Sequence, residues 1–126
     1  MNIKSKGGED PKGELIIRVL AMPADMNPAG DIFGGWILSQ MDIAGGIFCR
    51  KMANGRVVTI SIDSTSFKLP VFVGDTLCCY VSLSRKGNTS IGVWIEAWAN
   101  REGSDHRIKV TEGEFVFVAI DGNGRT

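Results

Sequence analysis

The chain has 126 residues, 44% hydrophobic and 22% charged, the size and composition of one globular domain with a core of its own. Lys plus Arg and Asp plus Glu each number 14, for a formal charge of +0, which excludes a general nucleic-acid binder with its basic excess and sets little charge repulsion against self-association. The three cysteines, Cys49, Cys78 and Cys79, are an odd set without Cys-x-x-Cys spacing; they exclude a disulfide framework or a zinc knuckle and read as reduced, buried thiols.

Residues 1–13 are charged and Gly-bearing, with Pro11 and no apolar signal core. They read as a flexible arm ahead of a single domain over 14–126. No apolar run reaches the ~20 residues that span a bilayer, so the expectation is a cytoplasmic protein with no membrane partner. Leu15 to Leu20 is a β-branched apolar run and predicts the first strand. Pro23 stops it, and a turn-rich loop follows over 23–35, a length that is usually functional.

A helix is predicted over 36–53. Its side chains are apolar on nearly every face up to Arg50, the pattern of a buried helix. Arg50 and Lys51 suit the negative end of its dipole, and Asn54-Gly55 supplies a left-handed stop. From Gly55 the period becomes two. A strand runs from Val58 towards Phe67, with Val58, Ile60 and Ile62 alternating with Thr59, Ser61 and Asp63. Pro70 and Gly74-Asp75 mark turns before a strand at 77–83. Residues 85–89 read as a hairpin connection into a strand at 91–98, patterned on both faces. The last strand spans roughly 107–120. The order is strand, long loop, one buried helix, then about four strands joined by turns, which implies antiparallel pairing around the helix.

Asp42 stands in the middle of the apolar helix, where a carboxylate costs several kcal/mol unless it is paired or neutralised. Gly34-Gly35 lies at the helix start, where free N–H groups bind a carbonyl oxygen or an anion. A base and an electrophile clamp so close in sequence point to acyl chemistry. Glycine-rich segments match neither phosphate-loop nor dinucleotide fingerprints, and Ser39 lacks a Gly-x-Ser-x-Gly elbow.

The run from Ala21 through Asp25-Met26-Asn27-Pro28-Ala29-Gly30-Asp31-Ile32-Phe33-Gly34-Gly35-Trp36 to Gln40-Met41-Asp42-Ile43-Ala44-Gly45 resembles the signature of hot-dog-fold acyl-CoA thioesterases, the bacterial YciA-like group above all. The likeness covers residues 14–120, including Phe67-Lys68-Leu69-Pro70-Val71 and Val73-Gly74-Asp75. It implies an α+β hot-dog fold, an antiparallel sheet wrapped around one long central helix. It also implies a homodimer, commonly assembled as a trimer of dimers, that hydrolyses acyl-CoA thioesters to free acid and CoA at the dimer interface. CoA is then part of substrate and product, with no cofactor and no metal. The family's catalytic aspartate falls on Asp42 and its loop asparagine on Asn27.

Thioester hydrolysis needs a carbonyl clamp plus a base or carboxylate nucleophile. Gly35, or an adjacent N–H, is the candidate clamp. Asp42 is the base or nucleophile, and Asn27 positions water or the carbonyl. Gly35 and Asp42 are seven residues apart, about 10 Å along a helix, whereas a base acts within about 3 Å of its target. Each site is therefore expected to combine the helix start and loop of one chain with Asp42 of its partner. For CoA, the candidates are Gly34 and the strand segment Thr65-Ser66-Phe67 along the pantetheine path. Arg85, Lys86, Gly87 and Ser90, with Thr89 beside them, are candidates for the phosphates, and Arg56 and Lys68 are further cations in reach. Ile43, Ile47, Phe48 and Phe72 are candidates for the acyl pocket. Trp94 and Trp98 share a strand face and read as packing or subunit contacts rather than a ligand box. Two other readings stand beside this one: a hot-dog dehydratase acting on hydroxyacyl thioesters, which would use a histidine although His106 lies far from the loop and helix, and a non-catalytic acyl-CoA binding or sensing oligomer.

Overall fold

The computed structural model describes residues 4–5, 9–64, 66–101 and 103–125. Among these, the elements in chain order are β1 (Lys4–Ser5), β2 (Glu14–Leu20), α1 (Gly34–Ala53), β3 (Val57–Ser64), β4 (Thr76–Lys86), β5 (Ser90–Asn100) and β6 (His106–Ala119), with a short 3-10 turn at Pro23–Asp25. Strands β2, β4, β5 and β6 lie side by side, each antiparallel to its neighbour. The other edge of β6 takes β3 antiparallel along its second half and β1 parallel at His106 and Arg107. The result is one sheet packed on one helix.

Alternation along β5 explains how the sheet carries two different faces. Val93, Ile95, Ala97 and Ala99 are fully buried in the core. On the other face the indole N–H groups of Trp94 and Trp98 donate to the Glu96 carboxylate at 2.8 and 2.9 Å, which satisfies a buried acid. The helix lays Ile37, Met41, Ala44, Gly45 and Cys49 on the sheet, a stripe at helical spacing. Contact is closest at Gly45, where a Cβ would lie 2.7 Å from the Phe117 ring and 2.8 Å from Ile95 Cδ1. Asn54 ends the helix in the left-handed conformation (φ 54°, ψ 42°), as its sequence predicts.

Several elements differ from expectation. The helix starts at Gly34, two residues early, because Phe33 serves as its N-cap without any side-chain hydrogen bond. Arg85 and Lys86 belong to β4, paired with Gly92 and Ile91, so the hairpin connection shrinks to residues 87–89. β3 stops at Ser64, short of Phe67. The chain then crosses to β4 through the loop around Pro70. One feature agrees with the sequence, in which a helix apolar on nearly every face needs a second subunit to finish its burial: Ile43 and Ile47 remain 49% and 51% exposed on the protomer, and on β3 Val58, Ile60 and Ile62 are likewise exposed.

The segment before β2, read as an arm, has its described part held on the outer face of the sheet. Glu9 pairs with Lys109, Asp10 with Arg107 at 3.2 Å, and the Lys12 backbone N–H donates to Glu96 at 3.1 Å. Lys109 also reaches Glu112 at 2.7 Å. Burial works against its charge, but the hydrogen bonds to Glu112 and Glu9 and the nearby Glu96 raise its pKa above the ordinary lysine value.

Candidate active site

The loop between β2 and α1 is built as a rigid cradle. Its ends meet through the Met26–Ile32 bridge, and the Phe33 N–H donates to Asp25 O at 3.1 Å. Asn27 organises the tip: its Oδ1 accepts from the N–H groups of Ala29 (2.9 Å) and Asp31 (3.0 Å), and its own N–H donates to Asp31 O at 2.6 Å. An Asx turn of this kind commits the side-chain oxygen. The Nδ2 amide is the part of Asn27 left for a ligand, so it offers a donor rather than the donor and acceptor expected from sequence.

That cradle delivers the chain into a helix start without a cap. Phe33 has no side chain able to accept, no acid stands in the first turn, and the Gly34 and Gly35 N–H groups find no partner among the described residues. Orphan donors at a positive helix end are an oxyanion or carbonyl site. The two glycines differ in surroundings. A Cβ on Gly34 would meet the Phe67 ring at 3.1 Å, so Gly34 answers a packing demand, whereas Gly35 faces open space. Glycine inside a helix costs about 1 kcal/mol relative to Ala. Packing within the protomer does not account for it at position 35.

Asp42 lies two turns further along α1, half-buried rather than sealed in the core. The Thr59 hydroxyl on β3 donates to its Oδ1 at 2.6 Å, the short length of a hydrogen bond to a carboxylate. Thr59 was not singled out in the sequence. Its only signal is its place on the β3 face opposite Val58 and Ile60, and nothing local links it to a residue 17 positions earlier.

The structure brings some predicted residues together and separates others. Gly34 and Gly35 open α1 with the Phe67 ring against Gly34, and Asn27 lies at the tip of the loop that leads into them. Ser66 lies beside them, its carbonyl accepting from the Thr111 hydroxyl at 3.5 Å, and Thr65 lies outside the described residues. Lys68 flanks the same end and pairs with Glu112 at 3.5 Å. Arg85, Lys86, Gly87 and Ser90 stand at the opposite end. There Ser90 and Val58 flank Val118 from either side, Thr89 O accepts from Ala119 N, and Arg56 O accepts from Ile120 N. Arg85 is drawn to Glu114 at 3.6 Å. The 20-residue helix separates the two groups, a span of about 30 Å. No single protomer assembles the whole set.

Other nucleophiles and bases are poorly placed. Burial pushes the Cys49 thiol up to about 11 and, together with Cys78, that of Cys79 up to about 12, so neither is a thiolate at neutral pH. His106 is exposed and pairs with Asp105 at 3.3 Å, at the first residue of β6 rather than on α1 or its loop. No helix among the described residues is long and apolar enough to cross a membrane.

Comparison with known proteins agrees with this geometry. A model of the Thioesterase superfamily matches residues 29–105, the stretch that carries the helix and Asp42. The acyl-CoA thioester hydrolase YciA of Salmonella typhimurium is 49% identical over 91% of this chain and 89% of its own length. A hexameric broad specificity acyl-coenzyme A thioesterase superposes with a TM-score of 0.92 at 46% identity, covering 98% of this chain and 85% of that one. A hexameric hotdog fold thioesterase of Campylobacter jejuni superposes at 0.84 with 47% identity, covering 90% and 88%. The hot-dog architecture expected from the sequence is thus the one observed.

Proposed function

The chain belongs to the thioesterase superfamily, and from that premise we propose that it hydrolyses acyl-CoA thioesters to a free carboxylic acid and CoA. One observation carries the reading: the helix that bears the half-buried, Thr59-held Asp42 begins with two uncapped glycine N–H groups. A carbonyl clamp and a carboxylate are what an already activated thioester requires.

The clamp is the Gly35 N–H, aided by the helix dipole and by the Asn27 amide donor. Asp42 acts across the protomer boundary on the thioester held by its partner's clamp. Thr59 occupies Oδ1 and leaves Oδ2 to take a proton from water. Water adds to the acyl carbon, the C–S bond breaks, and the proton passes to the departing sulfur. Direct attack by Oδ2 would instead form an anhydride that water then opens; oxygen-18 in a single turnover separates the routes by whether label enters Asp42. Neither route calls on a cofactor or a metal.

The working unit is a homodimer, three of which make a hexamer like those of the structural neighbours. The exposed apolar row Val58, Ile60 and Ile62 on edge strand β3 supports such pairing. Free, buried cysteines support a cytoplasmic location.

The test is thiol release from acyl-CoAs of short to long chain by wild type and Asp42→Ala in parallel. Wild type turns over, and the variant falls by at least about a hundredfold. Folded oligomer that releases no thiol from any acyl-CoA would refute the proposal and leave a binding or sensing role.

A further inference from the structure

The segment between β3 and β4, residues 66–75, has no helix or strand of its own, yet it braces the start of α1. Its Val71 carbonyl accepts from the Ile32 N–H at 2.9 Å, and the Phe67 ring packs against Gly34. At its far end the Ala21 N–H donates to Asp75 O at 2.9 Å and the Gly74 N–H to Ala21 O at 3.0 Å. Both ends of the cradle therefore rest on one irregular segment. β6 fixes the beginning of that segment through Lys68, whose N–H donates to Val110 O at 2.9 Å. Arg101 fixes its end.

We propose that Arg101 is a positioning residue for the carbonyl clamp: it holds residues 66–75, and through them the Gly34-Gly35 start of α1, where the thioester needs it. The inference rests on the thioesterase reading. Register explains how Arg101 arrives there. Thr76 pairs with Asn100, so Asp75 and Arg101 are the next residues outward on adjacent strands. The Arg101 side chain then grips the segment in three ways. Its Nε donates to Asp75 Oδ2 at 3.3 Å, its Nη2 donates to Pro70 O at 2.6 Å, and its guanidinium lies 4.5 Å from the centre of the Phe72 ring. Asp75 is 3% exposed, and the same Oδ2 accepts from the Phe72 N–H at 2.9 Å.

Neutralising a buried carboxylate accounts for the first of these contacts, since Asp75 without a partner would be costly. It does not account for the other two. Those fall on Pro70 and Phe72, on either side of Val71, the residue whose carbonyl holds Ile32. A planar guanidinium directs two donors and stacks on a ring at once, which an ammonium group cannot do. The side-chain hydrogen bonds and the ring contact of Arg101 all fall within residues 70–75, so its effect on catalysis passes through that segment. A misplacement of about 1 Å at a reacting group lowers the rate by up to about a hundredfold. A loosened brace therefore slows turnover while substrate still binds.

The experiment measures kcat and KM for an acyl-CoA with wild type, Arg101→Ala, Arg101→Lys and Lys109→Ala, well below each Tm, together with amide hydrogen exchange. Lys109→Ala breaks ion pairs on the outer face of the sheet and serves as the stability control. Arg101→Ala is expected to lower kcat by about tenfold with KM within about twofold. It also speeds exchange at the Ile32 N–H, which Lys109→Ala leaves as protected as in wild type. Arg101→Lys keeps a charge beside Asp75 and so keeps the fold, but it loses the fork to Pro70 and recovers kcat only in part. Added methylguanidinium restores turnover to the alanine variant. Unchanged kcat in Arg101→Ala, a loss confined to KM, or an equal kcat loss in Lys109→Ala overturns the inference while the thioesterase reading stands. Wild type inactive on every acyl-CoA removes that reading instead. Exchange then decides the brace, which falls if Ile32 is equally protected in wild type and Arg101→Ala and stands if protection is lost.

Discussion

A tethered dimer with Asn27→Ala in one half and Asp42→Ala in the other decides whether the site is shared between protomers. On one helix Gly35 and Asp42 are seven residues apart, about 10 Å, and the Thr59 hydrogen bond pins Asp42 to β3 on its own side. A base must come within about 3 Å of its target, or reach it through one water, so one protomer's clamp and carboxylate cannot serve one carbonyl. If sites are shared, that dimer concentrates both defects in one site and keeps the other intact, giving about half of wild-type thiol release. Its mirror, with both substitutions in one half and none in the other, breaks each site once. Loss of one oxyanion-type donor costs about a hundredfold or more, so the mirror should fall to roughly 1% of wild type. Sites built within single chains would reverse the two results. Thiol release by the purified tethered dimers, normalised to folded protein, reads the outcome. A mirror dimer at half activity beside an inactive first dimer would refute the reasoning.

The adjacent glycines of α1 should respond oppositely to alanine. Gly46→Ala meets nothing nearer than 3.8 Å and should gain about 0.5–1 kcal/mol of helix stability; Gly45→Ala drives a methyl into Phe117 and Ile95, where overpacking of about 1–3 kcal/mol outweighs that gain. Urea midpoints read both, and a Gly45→Ala protein as stable as wild type would sink the packing argument. The Lys109–Glu112 pair should shape stability against pH. The hydrogen bond from Lys109 lowers the Glu112 pKa below the ordinary glutamate value, so its contribution is full above that value and is lost as pH falls through the lowered pKa. Lys109 is raised above 10.5, so its contribution is full below that value and is lost at still higher pH. Glu112→Gln should therefore flatten the acid-side fall of Tm, and an unaltered slope between about pH 3 and 5 would count against the pair.

What the sequence made legible is local, and what it hid depends on partners distant along the chain. Asn54 as a left-handed stop, the alternation of β5 and the loop-to-helix signature each involve residues within a few positions of one another, so the pattern carries its own physics. The helix start was misread because Phe33 is not a capping residue; a missing cap is silent in sequence, yet it is the feature that frees the Gly34 and Gly35 N–H groups. Arg85-Lys86 resembled a turn because charge usually marks one, but pairing with Gly92 and Ile91 extends β4 through them. Gly92 makes room, since a Cβ there would strike the Arg85 side chain at 2.8 Å. Thr59 and the ties of residues 9–12 to Glu96, Arg107 and Lys109 were invisible, because each joins segments brought together only by the sheet. The exposed Ile43 and Ile47 were legible, since a helix apolar on nearly every face calls for a second subunit, whereas the exposure of Val58, Ile60 and Ile62 on β3 was not. Their apolar pattern is plain in the sequence, but on the protomer it faces water. A helix and an edge strand that are apolar on the side away from their own core leave that surface for another copy, and the proposed sharing of the site between protomers would use the same surface.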